Sequence, residues 1–98
     1  MLEPTTAHTL VHYPLIERFS IECDGRRVAF LSYTLERRRT MTIDVVAVPA
    51  GDGVGMGELL LATALAWARE HGYTVVAFCP PAQDFLRRER QPGARAAA

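Results

Sequence analysis

Apolar and polar positions alternate through the first half of the chain, as expected for strands with one buried face. Residues 18–23 show this alternation, and the Asp24-Gly25 dipeptide that follows predicts a tight hairpin turn because both residues accept a positive φ. Two further strands are predicted over 28–35 and 41–48, separated by a polar turn. The pattern therefore predicts three consecutive antiparallel strands.

The spacing of apolar residues changes from every second residue to a helical period over about 54–71. Gly72 is expected to end this helix, because its missing Cβ permits the left-handed conformation common at helix ends. A second apolar stretch, 74–79, predicts a strand parallel to 41–48, since a single helix connects the two. A last helix is expected from Ala82 to about Arg90.

The element order β-β-β-α-β-α predicts an α/β fold with a mixed sheet, in which a right-handed crossover helix adds one parallel strand to three antiparallel strands. A chain of 98 residues fits a single domain, 1–98, that can bury a core without a disulfide or a metal. Residues 1–12 show no clear periodicity and are expected to form a loosely held arm, and residues 91–98 a frayed tail.

The composition argues against several classes of protein. The formal net charge is zero, which disfavours a general nucleic-acid-binding protein, and the arginines of 36–39 are expected to form a solvated hairpin tip. All 11 basic residues are arginine, so lysine-based covalent chemistry is absent. Cys23 and Cys79 lack metal-ligand spacing, which predicts no metal site. No apolar run is long enough to span a bilayer and no signal-peptide pattern is present, so a cytoplasmic protein without a membrane partner is expected.

Four glycines, Gly51, Gly53, Gly55 and Gly57, lie between the predicted strand 41–48 and the long helix. A strand followed by a glycine-rich loop and a helix directs unpaired N–H groups and a positive dipole end to one point, which favours an anion, most plausibly a phosphate. The spacing matches neither the dinucleotide pattern G-x-G-x-x-G nor the P-loop, which needs a lysine. From the loop alone, a phosphate site and a flexible surface loop are both open.

Residues 52–57, D-G-V-G-M-G, resemble the acetyl-coenzyme A loop of the GNAT superfamily of N-acetyltransferases, whose usual form is Q/R-x-x-G-x-G/A. The details match small single-domain members, in which a strand, Cys-Pro and a helix with an aromatic residue and two arginines follow one another. Here these are Cys79-Pro80 and F-L-R-R at 85–88, and the opening hairpin also matches. The resemblance extends over 18–90 and implies a minimal GNAT-like fold that binds acetyl-coenzyme A (acetyl-CoA).

The resemblance also implies where coenzyme A (CoA) would bind. The pantetheine arm would lie in a cleft where strands 41–48 and 74–79 separate, and the pyrophosphate would lie at the start of the long helix. The residues implied at the cofactor are Val46, Val48, Gly53, Val54, Gly55, Met56, Gly57, Glu58, Arg87 and Arg88. Glu58 brings a carboxylate to this site, and the two arginines are expected to offset it.

Two positions depart from the family pattern. Val45 stands where the family usually has a histidine credited as a base, and Asp52 replaces the Q/R that opens the loop. The remaining candidates for the base are Asp44, Glu22 and His71, and no motif positions any of them.

Cys79 is the candidate for covalent or acid–base chemistry. It is expected at the C-terminal end of a buried strand and before a helix N-terminus, which can stabilise a thiolate. Such a thiolate could accept the acetyl group and pass it to an amine. An equally open interpretation is that Cys79 is a small apolar residue that fills the strand end.

The predicted function is transfer of an acetyl group from acetyl-CoA to an unidentified amine, either of a small molecule or exposed on a protein. The alternative is a non-catalytic CoA-binding or protein-interaction module that keeps the fold and has lost the base. A nucleic-acid-binding role for the arginines at 37–39 is a third interpretation. The sequence indicates neither the acceptor nor the oligomeric state.

Overall fold

Five strands and two helices form the computed structural model, which describes residues 8–50 and 53–90. The strands are β1 (His8–Tyr13), β2 (Arg18–Cys23), β3 (Arg26–Glu36), β4 (Thr40–Ala47) and β5 (Thr74–Ala77). The helices are α1 (Gly53–Glu70) and α2 (Pro80–Arg90). A short 3-10 turn, Pro14–Ile16, joins β1 to β2.

The strands form one mixed sheet in the order β1-β2-β3-β4-β5. Neighbours from β1 to β4 are antiparallel, whereas β5 runs parallel to β4. The parallel register sets Thr40 opposite Thr74 and Ile43 opposite Ala77. Because α1 connects β4 to β5, the predicted α/β fold with one parallel strand at the end of an antiparallel meander is confirmed.

The sheet has one strand more than the sequence predicts. For residues 8–12, the prediction of a loosely held arm is wrong, since in β1 Leu10 lies opposite Ile21 and His12 lies opposite Phe19. The physical reason is that the run T-L-V-H-Y suits a strand and places its apolar and aromatic side chains against β2. Residues 1–7 and the predicted tail at 91–98 lie outside the described residues.

Several element ends differ from the prediction by one or two residues. α1 begins at Gly53, β5 ends at Ala77 rather than at Cys79, and α2 begins at Pro80 rather than at Ala82. Proline is tolerated at the start of α2 because first-turn N–H groups have no acceptor within the helix, so the missing N–H costs little.

Both hairpin turns use left-handed backbone. Asp24 (φ 54°) and Gly25 (φ 77°) form the predicted turn between β2 and β3. The turn between β3 and β4 places Arg38 (φ 67°) and Arg39 (φ 56°) in the same region, which is less favourable for side chains with a Cβ. Their side chains are exposed, as expected for a solvated hairpin tip.

Both helices pack on the same face of the sheet. One core cluster combines alternate residues of β2 to β5 with the inner sides of α1 and α2. Its buried members are Phe19, Ile21, Ala29, Leu31, Tyr33, Met41, Ile43, Leu60, Leu61, Ala64, Leu65, Ala68, Val75, Ala82 and Leu86. Neither described helix is both long and apolar enough to cross a bilayer.

The opposite side of the sheet carries no helix within the described ranges, and we call it the open face. Strand alternation and the cross-strand register place on it Arg18, Ser20, Phe30, Ser32, Thr34 and Asp44. The open face is therefore mostly polar, whereas the helix-covered face is apolar.

Gly72 ends α1 as predicted. Its φ of 77° turns the chain, and the N–H of Tyr73 donates to the carbonyl of Ala68 at 2.8 Å while the N–H of Gly72 donates to Arg69 at 3.2 Å. These two hydrogen bonds satisfy carbonyl groups that would otherwise lack donors at the end of the helix.

An aromatic cluster ties β1 to the C-terminal half of α1. The ring of His12 stacks on Phe19 with centroids 4.0 Å apart, and its Nε2 is hydrogen-bonded to the hydroxyl of Tyr33 at 2.6 Å. Trp67 meets His12 edge to face at 5.0 Å and stacks on His71 at 4.3 Å. Burial lowers the pKa of His12, and the nearby His71 lowers it further, whereas burial raises the pKa of Tyr33 to about 12.

Adjacent leucines of α1 test the core. Leu60 is fully buried and Leu59 is half exposed, so Leu60→Ala should lower the free energy of unfolding by about 2–5 kcal/mol. Leu59→Ala removes the same atoms from the surface and should lower the free energy of unfolding by less than about 1 kcal/mol. Urea denaturation of both variants measures the difference. Equal losses would show that the helix does not pack as described.

Stability should also fall as the pH is lowered. Because the pKa of His12 is lower in the folded than in the unfolded chain, its contribution is fully present above about pH 6.5 and is lost as the pH falls through the folded pKa. Urea denaturation at about pH 7.5 and about pH 5 measures how much unfolding free energy is lost between the two. This loss should be smaller for His12→Gln than for the unsubstituted protein. His8→Gln, at the exposed start of the same strand, should match the unsubstituted protein. The same loss in all three proteins would exclude His12 as the source.

Candidate functional site

The ladder between β4 and β5 ends before β4 does. Its last register pair is Ile43 with Ala77, and the N–H of Phe78 adds one more bond to the Ile43 carbonyl at 2.9 Å. Beyond this point residues 45–47 pair with β3 alone. The backbone groups of this segment that face away from β3 therefore border an opening between the two strands.

A β-bulge lies at the start of this unpaired segment. Tyr33 lies opposite Ile43, but Ser32 lies opposite Val45, so Asp44 is an extra residue in β4. The bulge directs the side chains of Asp44 and Val45 to the open face. It also places the only carboxylate of β4 beside the opening.

The carboxylate of Asp44 is held by its neighbour on β3. The hydroxyl of Thr34 donates to Oδ2 of Asp44 at 2.8 Å, and both side chains are half buried. This bond fixes the orientation of the carboxylate, and its other oxygen has no hydrogen-bond partner in the part of the chain that the structure describes.

The N-terminus of α1 faces the same opening. The helix begins at Gly53, close to the predicted start at about 54, so Gly55 and Gly57 lie in its first two turns and only their assignment to a loop is wrong. The N–H groups of the first four helical residues have no acceptor within α1, and the positive end of the helix dipole adds to them. Gly51 and Asp52 lie outside the described residues.

The two glycines in the first turns of α1 have different surroundings. A Cβ on Gly55 would meet no atom of the described residues within 4 Å, so they leave this side of the helix open. A Cβ on Gly57 would lie 3.7 Å from Val48 and 3.9 Å from Val46, so these two valine side chains pack beneath the helix start. Neither glycine has a positive φ, so the backbone at both positions would accept a residue with a side chain without strain.

Both arginines proposed for the cofactor form ion pairs. Arg88 of α2 donates to Glu58 of α1 at 3.1 Å, which offsets the carboxylate beside the helix start. Arg87 donates to Asp84 at 2.7 Å within α2. Arg88 is therefore the arginine that the fold brings to the N-terminus of α1.

Cys79 lies between β5 and α2. Its carbonyl accepts the N–H of Gln83 at 2.9 Å, which makes it the N-cap residue of α2, and its half-buried side chain packs against the core cluster. The thiol therefore faces the helix side of the sheet, whereas Asp44 faces the open face.

The other two candidate bases lie elsewhere. Glu22 is on β2, two strands from β4, and accepts a hydrogen bond from the hydroxyl of Tyr13. His71 follows α1, and its Nδ1 donates to the Trp67 carbonyl at 2.8 Å. At 1.5 Å of rise per residue, about 24 Å of helix separates His71 from Gly55.

Sequence reasoning missed Thr34 and the bulge at Asp44. Thr34 is one of several polar residues in an alternating strand, and nothing in the local pattern distinguishes it. The bulge depends on the register between β3 and β4, which no local spacing indicates.

Comparison with solved structures finds the same fold in known acetyltransferases. A GCN5-like protein from Staphylococcus aureus superposes with a TM-score of 0.64 at 25% identity, and the match covers 83% of this chain and 79% of that chain. N-acetylglutamate synthase from Neisseria gonorrhoeae, complexed with coenzyme A and N-acetyl-glutamate, has a TM-score of 0.60 at 24% identity, covering 83% of this chain and 22% of that chain. An aminoglycoside N-acetyltransferase in complex with CoA has a TM-score of 0.52 at 14% identity, covering 76% and 55%. No curated protein sequence matches this chain.

A family model gives the assignment at sequence level. The model for GCN5-related N-acetyl-transferases matches residues 18–94, which include every element from β2 to α2. This agrees with the resemblance of the loop and of the Cys-Pro segment to the GNAT superfamily. The chain therefore belongs to the family of GCN5-related N-acetyltransferases.

Proposed function

We propose that this protein transfers an acetyl group from acetyl-CoA to an amine. The observation that carries the proposal is the opening between β4 and β5, because unpaired backbone groups of β4 and the N-terminus of α1 meet at this one place. A pantetheine amide needs backbone hydrogen-bond partners, which the unpaired part of β4 offers. A pyrophosphate needs N–H donors, which the adjacent N-terminus of α1 offers. CoA-bound members of the same fold support the choice of ligand.

The residues present fit the pyrophosphate. No described atom lies within 4 Å of the place where a Cβ on Gly55 would be, so this side of the first turn has room for a ligand, and each charge-assisted bond from an N–H of this turn would contribute about 1.5–3 kcal/mol. The opposing carboxylate of Glu58 costs about 0.3–1 kcal/mol at a helix start, and Arg88 already offsets part of it. We therefore expect the hydrogen bonds to the pyrophosphate to contribute more free energy than the repulsion from Glu58 costs.

The chain contributes orientation and charge to the reaction, while acetyl-CoA, when bound, supplies the acetyl thioester. The backbone groups of residues 44–47 that face the opening would hold the pantetheine arm as an added strand would be held. A backbone N–H of this segment would stabilise negative charge on the carbonyl oxygen during attack. Val46 and Val48 take part through their backbone, since their side chains pack against α1.

Asp44 is the proposed acceptor of the amine proton. It lies at the bulge beside the opening and is the candidate base that the fold brings there. The bond from Thr34 holds one oxygen, so the other can point toward an amine that approaches from the open face. This assignment replaces the family histidine, whose position is occupied by Val45.

Cys79 provides the alternative route. It is the N-cap residue of α2, but its side chain packs with the core on the helix side of the sheet, away from Asp44. We therefore propose direct attack by the amine, with Cys79 as a packing residue. A cytoplasmic location is part of the proposal and agrees with the two free cysteines.

Replacing Gly55 tests the phosphate site. Gly55→Val keeps a residue of equal or better helix propensity but fills the open space before the N–H groups, so the Kd for CoA should rise at least about tenfold while the fold is kept. Isothermal titration calorimetry measures the Kd, and circular dichroism checks the fold. Ala66→Val adds a β-branched side chain at an exposed position of the same helix and should leave the Kd unchanged.

Two substitutions at the opening distinguish the chemical routes. Asp44→Asn should lower kcat by about 10²–10⁴ without changing the Kd for CoA, because it removes the base and keeps the shape. Cys79→Ala should keep turnover, and no acetyl adduct on Cys79 should be seen by mass spectrometry. Asp24→Asn, in the exposed hairpin turn, is the matched carboxylate control.

The opposite result in this pair would support the covalent route: a Cys79 adduct removed by hydroxylamine, and loss of turnover in Cys79→Ala. Binding of CoA without turnover of any amine would instead favour the non-catalytic module. Failure to bind CoA at all would reject the proposed function.

A further inference from the structure

Two arginines of the open face share one aromatic ring. The guanidinium carbons of Arg18 and Arg27 each lie 4.9 Å from the centroid of Phe30. The two charges are therefore separated by no more than twice that distance. Cation–π contact with the ring holds both groups in place and leaves their N–H donors unused.

Neither guanidinium has an acceptor among the described residues. Nε of Arg18 is buried without a hydrogen-bond partner, and no described carboxylate forms an ion pair with either arginine. Glu22, which lies opposite Arg27 in the β2–β3 ladder, accepts a bond from the hydroxyl of Tyr13 instead. The buried Nε of Arg18 is a costly unsatisfied donor in a folded protein, and the exposed guanidinium of Arg27 adds a second positive charge beside it, so the pair suits an anion.

A second unsatisfied group lies beneath them. Ser20 is 1% exposed, and its Oγ has no hydrogen-bond partner in the described part of the chain. It is the cross-strand partner of Phe30 and lies two residues from Arg18 on the same face. A buried hydroxyl without a partner, next to two unpaired cations, is unusual for a surface that serves packing alone.

A cleft opens beside this cluster. Its volume is about 290 Å³, and its walls include Arg27 and Phe30 from β3 with Ala47 and Pro49 from the exit of β4. It forms because the β3–β4 ladder ends at Phe30 and Ala47, after which the two segments separate. The cleft therefore lies on the β3 side of β4, on the other side of that strand from the opening proposed for CoA.

The register connects the arginines to the proposed base. Arg18 pairs with Ser32, and Ser32 pairs with Val45, so the three residues form one row across the open face. With strands about 4.8 Å apart, the row from Arg18 to the bulge spans about 10 Å. The open face thus carries a carboxylate, Asp44, at one end and two unpaired cations at the other.

We propose that Arg18, Arg27 and Phe30 form the subsite for an anionic group of the acceptor, which is an amine that also carries a carboxylate or a phosphate. This inference rests on the proposed function, since it places the amine at Asp44. An ammonium group is attracted to Asp44 and an anion to the arginines, so both ends of such a molecule orient it. A neutral or purely cationic amine would leave the guanidinium groups unsatisfied.

Matched pairs of amines test the subsite by binding alone. β-Alanine is compared with β-alaninamide, and O-phosphoethanolamine with ethanolamine, by titration into the full chain saturated with CoA and detection through backbone amide chemical shifts. The anionic member of at least one pair should bind at least about tenfold tighter than its neutral partner. The pair with the larger ratio of neutral-member Kd to anionic-member Kd identifies the preferred anion. Chemical-shift changes should appear at the backbone amides of residues 18–20 and 27–30.

Substitutions then locate the effect. Arg27→Gln, at an exposed position, should reduce the ratio to less than about threefold without a change in Tm, whereas Arg27→Lys should keep part of it. Arg18→Gln should have a similar effect on the ratio, with its Tm measured because its Nε is buried. Arg37→Gln removes the same charge from the β3–β4 turn, at the opposite end of β3, and should change nothing.

The outcome separates this inference from the proposed function. The proposed subsite is rejected if both members of each pair bind equally. It is also rejected if the ratio of their Kd values is unchanged in Arg27→Gln and Arg18→Gln. CoA affinity is measured on the same samples. Normal CoA binding with no anion preference rejects the subsite alone, whereas anion preference without CoA binding rejects the proposed function and leaves only an anion-binding site at the two arginines.

Discussion

The parallel pairing of β4 with β5 through one crossover helix determines where the candidate chemistry lies. The crossover returns the chain to the end of the sheet at which β4 begins, so β5 runs in the same direction as β4 and the C-terminal ends of both strands lie beside the start of α1. Because the ladder stops at Ile43 and Ala77 while β4 continues, the convergence includes unpaired backbone. A longer β5 ladder would close this opening and bury the groups that the proposed cofactor needs.

The sheet also separates two kinds of chemistry. The thiol of Cys79 packs on the side covered by the helices, whereas the bulge directs Asp44 to the uncovered side. An amine that arrives from the open face therefore meets the carboxylate first. The same separation explains why the two residues are better treated as alternatives than as a catalytic pair.

Much of the fold could be predicted from the sequence because its signals are local. The Asp24-Gly25 turn, the end of α1 at Gly72 and the parallel strand after it all follow from backbone preferences and connection rules. β1 was not predicted, because its alternation is short and becomes a strand only through pairing with β2. Register and bulges are tertiary properties, so the sequence could name Asp44 as a candidate but could not show that Thr34 holds it.

The two ends of α1 differ in how firmly they are held. At the C-terminal end, the cap at Gly72 and the stack of Trp67 on His71 fix the last turns. At the N-terminal end, Gly55 and Gly57 each favour the helix by about 1 kcal/mol less than alanine would. Local opening, as reported by amide hydrogen exchange, therefore begins at the first turn, and any anion bound there slows exchange in the same residues that contact it.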